Sequence, residues 1–118
     1  MQAYGQTDTG CVRTRNQDYI YFSPEQTGDL ENLFFLADGM GGYQAGDYAS
    51  WYAVEGLVSY MKEQKGIPVV TRFREGISQV NGQLFQKAQN SPEYKGMGTT
   101  LVAASAQEQT MYLSLIHI

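Results

Sequence analysis

Leu33-Phe34-Phe35-Leu36-Ala37-Asp38-Gly39-Met40-Gly41-Gly42 is an apolar run that ends abruptly in a carboxylate and a cluster of glycines. Five apolar residues in succession predict a strand buried on both faces, closing at Ala37. A carboxylate at the carboxyl end of such a strand sits where a site opens, so Asp38 is the first candidate functional residue. Glycines at 39, 41 and 42 permit positive φ and close backbone approach, and a carbonyl as well as the carboxylate can then face one hard cation. A strand closed by an ordinary Asp-Gly turn fits the loop equally well, and only its surroundings separate the two readings.

Towards the amino terminus, Gln2 to Thr7 and Asp18 to Phe22 are rich in β-formers, and clusters of Gly, Asn, Asp and Pro separate them from Leu33 to Ala37. Towards the carboxyl terminus the period changes at Gly46. Ala49, Ala53, Val54, Leu57, Val58 and Met61 fall on one helical face until Gly66 and Pro68. A second helix follows, with Val70, Phe73, Ile77, Val80, Leu84 and Ala88 at three- and four-residue spacings up to Asn90-Ser91-Pro92. Thr99 to Ser105 and Thr110 to Leu115 then read as a hairpin. Strands, two helices and strands again predict an antiparallel sheet covered by helices, an α+β arrangement.

The 118 residues suffice for one core and not for two ordinary domains. A composition of 42% hydrophobic and 17% charged residues is that of a globular chain. The formal charge of -4 comes without the basic stripe that a nucleic-acid backbone or an anionic membrane demands, which argues against both as partners. No apolar run approaches the ~20 residues of a membrane span. Cys11 is a single cysteine and no leader-like segment opens the chain, so a reducing cytoplasm is the expected location.

A second chemical cluster lies at Gly10-Cys11-Val12-Arg13-Thr14-Arg15-Asn16-Gln17-Asp18. Asp18 opens a strand and can approach Asp38 from a neighbouring one, while the planar guanidinium of Arg13 suits the oxygens of a phosphate. Hydrolysis of a phosphate ester requires charge to be offset on the phosphoryl oxygens and a nucleophile to be generated near neutral pH, and two cations sharing a carboxylate do both. Each of these residues has a plainer reading by itself, Arg13 as a solvated side chain and Asp18 as a turn residue. Their combination with Asp38 gives the pattern its weight.

Taken in order, Gly10-Cys11-Val12-Arg13, Asn16-Gln17-Asp18, Ala37 to Gly42 with Ala45-Gly46-Asp47 and Ala49-Ser50, and Gly96 to Val102 resemble the successive signatures of the bacterial metal-dependent protein serine/threonine phosphatases, the PPM or type 2C family. The resemblance extends from about residue 4 to Tyr112. It implies two packed antiparallel sheets flanked by helices, an incomplete αββα sandwich, with residues 1–112 forming the amino-terminal part of the catalytic domain. It also implies two Mn²⁺ or Mg²⁺ ions bridged by Asp38, a backbone carbonyl from Gly39 to one of them, a carboxylate or water-mediated contact from Asp18, and Arg13 on the substrate phosphate. The resemblance further implies that water activated by the metals attacks phosphorus in line without a phosphoenzyme. Gly98, Thr99 and Thr100 take a structural role at a strand start. The implied substrates are phosphoserine and phosphothreonine proteins, products of a serine/threonine kinase.

The chain departs from the family at several points. Gln17 stands where Glu is common, Met40 where many eukaryotic members have a histidine proposed as proton donor, and Tyr43 where bacterial members commonly have His. No general acid carries over. The later Gly-Asp-Ser-Arg segment and further metal-binding aspartates are not in these 118 residues, so weak or no turnover is expected of the chain alone. Leu113 to Ile118 departs from the family's strand and reads as a non-native or truncated tail, which leaves His117 outside any site. Other phosphatase chemistries fail on spacing: a haloacid-dehalogenase-like enzyme needs a second Asp where Met40 stands, and a cysteine phosphatase needs Arg where Gln17 stands. The remaining alternative is a non-catalytic phosphoprotein-binding or structural fragment that keeps Arg13 and Asp38.

Overall fold

The computed structural model of the chain describes residues 18–23, 30, 32–41, 45–107 and 110–117. Its elements run β1 (Asp18–Ser23), β2 (Leu33–Met40), α1 (Ala45–Glu63), α2 (Val69–Asn90), a 3-10 turn (Pro92–Tyr94), β3 (Gly98–Gln107) and β4 (Thr110–His117). The strands form one antiparallel sheet in the order β1-β2-β3-β4, and the two helices are inserted between its central strands. This is the expected α+β arrangement, of which the described residues carry one sheet with its helix layer. The strand expected at Gln2 to Thr7 lies outside the described residues.

Helix α1 lies against β1, β2 and β3, and all six of the apolar residues that set its period are buried. It approaches the sheet closely because the facing residues are small: Ala49 and Ala53 on the helix, Ala37 and Ala103 on the strands, all fully buried. Helix α2 rests on α1 and reaches the sheet through Phe73, whose ring lies 6.5 Å from that of Phe35. Phe35 in turn lies 6.2 Å from Tyr21 of β1. On α2, Phe73, Val80 and Leu84 are buried, but Val70 is exposed and Val69 packs on the core instead. The stripe drifts around the helix as 3.6-residue geometry dictates, so the first turn presents the residue one position earlier. Arg72 is buried beside it, and its guanidinium donates to the Ile67 carbonyl. No helix among the described residues is long and apolar enough to cross a membrane.

Two expectations for β2 are corrected. The strand does not end at Ala37 but continues through Asp38, Gly39 and Met40, which pair with Thr100, Thr99 and Gly98 of β3. Nor is it buried on both faces. Burial alternates along its length, with Leu33, Phe35, Ala37 and Gly39 covered by the helices and Leu36, Asp38 and Met40 exposed. An unbroken apolar run shows that both sides of a strand tolerate burial; it does not show that both are covered.

The far end of β2 is locked by a side chain. Asn32, buried, donates from Nδ2 to the Ala106 carbonyl at 2.6 Å and accepts the Ala106 amide on Oδ1 at 2.7 Å, while Ser105 Oγ donates to the Asn32 carbonyl at 2.7 Å. The carboxamide takes the place of a peptide group and carries the β2–β3 ladder one step further. Asn32→Ala leaves a carbonyl and an amide of Ala106 without their partner and is expected to cost about 2 kcal/mol. Urea denaturation, with the slope unchanged and the midpoint lowered, checks this.

Candidate functional site

Across the sheet, Asp18 of β1 lies directly opposite Asp38 of β2, and Asp38 lies directly opposite Thr100 of β3. Residues so paired project from the same face, and their Cβ atoms are typically ~4.5–5.5 Å apart. The face is the one without helices. The sequence expectation that Asp18 comes to Asp38 from an adjacent strand therefore describes the geometry, although the two residues meet inside a ladder and not across a turn. Two carboxylates placed opposite each other repel, and a shared cation relieves that repulsion. Gly39 follows in the strand at a buried position opposite Thr99, in extended backbone and without the positive φ anticipated for it.

Among the described residues at this end of β2, Gly41 has a positive φ. With φ at 139°, its backbone passes so close to its neighbours that a Cβ would lie 3.1 Å from Ala45 Cβ and 3.2 Å from Met97 Cα. The chain leaving the Asp38 strand is thus wedged between the start of α1 and the Gly96-Met97-Gly98 segment. Gly41→Ala meets a left-handed backbone and a main-chain neighbour that cannot swing aside, for an expected cost of about 1–3 kcal/mol. Thermal unfolding should register that loss, and a larger one for Gly41→Val.

Aromatic rings hold the other side of the wedge. Tyr94, in the 3-10 turn before Met97, stacks on Tyr48 in the first turns of α1 at 4.3 Å and 13°. Tyr48 also contacts Trp51 and Tyr52, and Lys87 Nζ lies 5.2 Å from the Tyr52 ring centre. Tyr52 and Tyr60 are packing residues, as their helical spacing implies, whereas Trp51 is 47% exposed. On β1, Tyr19 donates to Glu55 Oε1 at 2.6 Å, tying the strand beside Asp18 to α1. That hydrogen bond, then burial, then the Glu55 charge raise the phenol above its ordinary value.

Met40 shares the open face with Asp38, two residues on, and is 40% exposed. Thr100, assigned to structure from sequence, stands in the same row as the two aspartates, and its Oγ1 donates to the Asp38 carbonyl at 3.5 Å. Only strand register could have placed it there. Arg13, Gln17, Gly42 and Tyr43 lie outside the described residues, as does Cys11. At His117 the backbone pairs with Thr100. Among the described residues, no group of three or more His, Cys, Asp or Glu is gathered closely enough to hold a metal ion.

A family model described as Protein phosphatase 2C matches residues 12–117. The chain belongs to the protein phosphatase 2C family. The serine/threonine phosphatase stp of Listeria monocytogenes is 37% identical over 118 residues, which covers 94% of this chain and 45% of that protein. Protein phosphatase PhpP of Streptococcus pneumoniae is 38% identical over 111 residues, with 90% and 44% covered. Among solved structures, serine/threonine phosphatase Stp1 from Staphylococcus aureus superposes with a TM-score of 0.81 at 36% identity, covering 93% of this chain and 44% of that one. The catalytic domain of PstP, crystallised with two manganese ions, gives 0.78 at 29% identity, with 94% and 45% covered. This member of the 2C family thus spans under half the length of these four relatives.

Proposed function

We propose that this chain forms the amino-terminal part of a metal-dependent phosphatase domain acting on phosphoserine and phosphothreonine in proteins. The observation that carries the reading is the Asp18–Asp38 pair facing outward from adjacent strands, in a chain of the 2C family. Residues 1–112 are the domain portion in this proposal. Targets phosphorylated by a serine/threonine kinase and a cytoplasmic location complete the proposal.

Asp38, Asp18 and the Gly39 carbonyl are the groups that would hold Mn²⁺ or Mg²⁺. The paired carboxylates fit such ions in kind, since hard cations take oxygen donors, but each ion wants about six. When bound, the ions offset charge on the phosphoryl oxygens and make a water acidic enough to act as nucleophile. Arg13 binds two phosphate oxygens through its fork and fixes the direction from which phosphorus is open to attack. The wedge at Gly41 and the ladder to Thr100 keep the Asp38 main chain from shifting as charge moves. Met40 can neither give nor take a proton, so it does not protonate the leaving serine or threonine oxygen.

The test is release of phosphate from a phosphothreonine peptide by the folded chain with Mn²⁺, with Mg²⁺ and with a chelator. Slow release that requires the metal supports the proposal, and release that survives chelation overturns it. A folded chain that binds the phosphopeptide but neither binds Mn²⁺ nor releases phosphate establishes the second reading, a non-catalytic phosphoprotein-binding fragment.

A further inference from the structure

We propose that Glu55 of α1 is a positioning residue which, through Tyr19, holds Asp18 opposite Asp38. The inference rests on the cation site proposed above, to which Asp18 belongs. Asp18 and Tyr19 are consecutive in β1, so their side chains leave the sheet on opposite faces. Asp18 joins the row of Asp38, and Tyr19 turns towards the helices, where its ring packs on the core. From there the Tyr19 hydroxyl donates to Glu55 Oε1 at 2.6 Å. That length is typical of a hydroxyl bonded to an ionised carboxylate, a stronger bond than one between neutral groups. The hydrogen bond, burial and the Glu55 charge all favour the protonated phenol, so Tyr19 remains a donor.

Two parts of β1 are anchored by different means. Tyr21 lies opposite Phe35, and their ring centres are 6.2 Å apart, so packing fixes the strand there. Tyr19 lies opposite Ala37, a small and fully buried residue that offers a ring no comparable surface. Beside Asp18, the hydrogen bond to Glu55 supplies the anchor that a large cross-strand neighbour would otherwise give. Glu55 leaves α1 on its exposed stripe, between Trp51 and Ser59 at four-residue spacing. The same helix packs on β2, the strand of Asp38, so both acids are referred to one rigid element. Glu55 itself stands on the helix side of the sheet and Asp18 on the open side, so Glu55 acts through residue 19 and not as a ligand. Groups that orient metal ligands without touching the ion commonly change affinity by about 10–100-fold.

Two measurements on chains shown by circular dichroism to be folded test this: Mn²⁺ binding, from the paramagnetic resonance signal of the free ion, and amide hydrogen exchange of β1. Glu55→Ala and Tyr19→Phe should each weaken Mn²⁺ binding by about tenfold and speed exchange in β1. Glu55→Gln keeps an oxygen acceptor and should recover most of both, and the double variant Tyr19→Phe/Glu55→Ala should be no weaker than either single one. Faster exchange with unchanged Mn²⁺ binding makes the contact one of stability alone and overturns the proposal, as does exchange that stays unchanged. A loss in Glu55→Gln as large as in Glu55→Ala assigns the effect to charge and overturns it too. If the unsubstituted chain binds no Mn²⁺, it is the cation site that fails, and exchange alone then decides: acceleration in Glu55→Ala and Tyr19→Phe with recovery in Glu55→Gln supports the hold on Asp18, and any other pattern overturns it.

Discussion

Asp38→Asn is expected to abolish metal-dependent phosphate release while making the metal-free protein slightly more stable. The two effects share one cause. Asp38 and Asp18 are paired directly across adjacent strands, where like charges cost ~0.2–1 kcal/mol, and the amide removes that repulsion at almost unchanged volume. In the proposed site the same change would withdraw a ligand from cations that would supply several kcal/mol of transition-state stabilisation, or about a thousandfold in rate. Thermal unfolding against Mn²⁺ separates the two. The unsubstituted chain should start lower and rise with metal concentration, because a ligand that binds only the folded state stabilises it by mass action. The variant should start higher and stay flat. A variant that still rises with Mn²⁺ places the cation elsewhere, and one that starts lower means Asp38 has a structural part that outweighs its repulsion with Asp18.

Phe35→Ala is expected to lower stability by about 3–5 kcal/mol, a large share of the ~5–15 kcal/mol that holds a domain of ordinary stability together. Phe35 is 2% exposed and sits between Tyr21 of β1 and Phe73 of α2, so its removal opens a cavity where strand, neighbouring strand and second helix meet. Leu36→Ala, one residue on, provides the contrast. The exposed Leu36 has little packing to lose and the cost should stay below about 1 kcal/mol. Urea unfolding of the pair therefore measures the asymmetry of the sheet: equal costs at both positions would restore the strand buried on two faces that Leu33 to Ala37 predicts.

That contrast also marks what could be read from the residues alone. Helix α1 was legible because its six apolar positions sit at spacings that only one periodic structure satisfies, and a surface helix has one face to bury. The hairpin of β3 and β4 was legible for a similar reason, two β-rich stretches about a short polar turn. Leu33 to Leu36 carries no such alternation, so its covered face is set by where the helices come to rest. Gly39 resembles a turn residue and is a strand residue because Thr99 is available to pair with it. At the candidate site, the two aspartates could be found from their places beside apolar or β-forming runs. Thr100 could not, since a threonine among β-formers looks like any other until the register is counted, and Arg13 lies outside the described residues.

The Asn32 latch gives that register a meaning of its own. A side-chain carboxamide clasps Ala106 at one end of the ladder, and Asp38 emerges six positions later, about 20 Å away at the rise of a strand. Along such a ribbon the acid is addressed by count and not by shape. A single residue inserted or deleted between the clasp and the acid, with the pairing otherwise kept, would exchange every outward side chain for an inward one and deliver Ala37 or Gly39 to the row where Asp38 now faces Asp18. Length variation is therefore intolerable in this six-residue ruler, while even a drastic change of side chain at Leu36 leaves the numbering, and with it the acidic pair, in place.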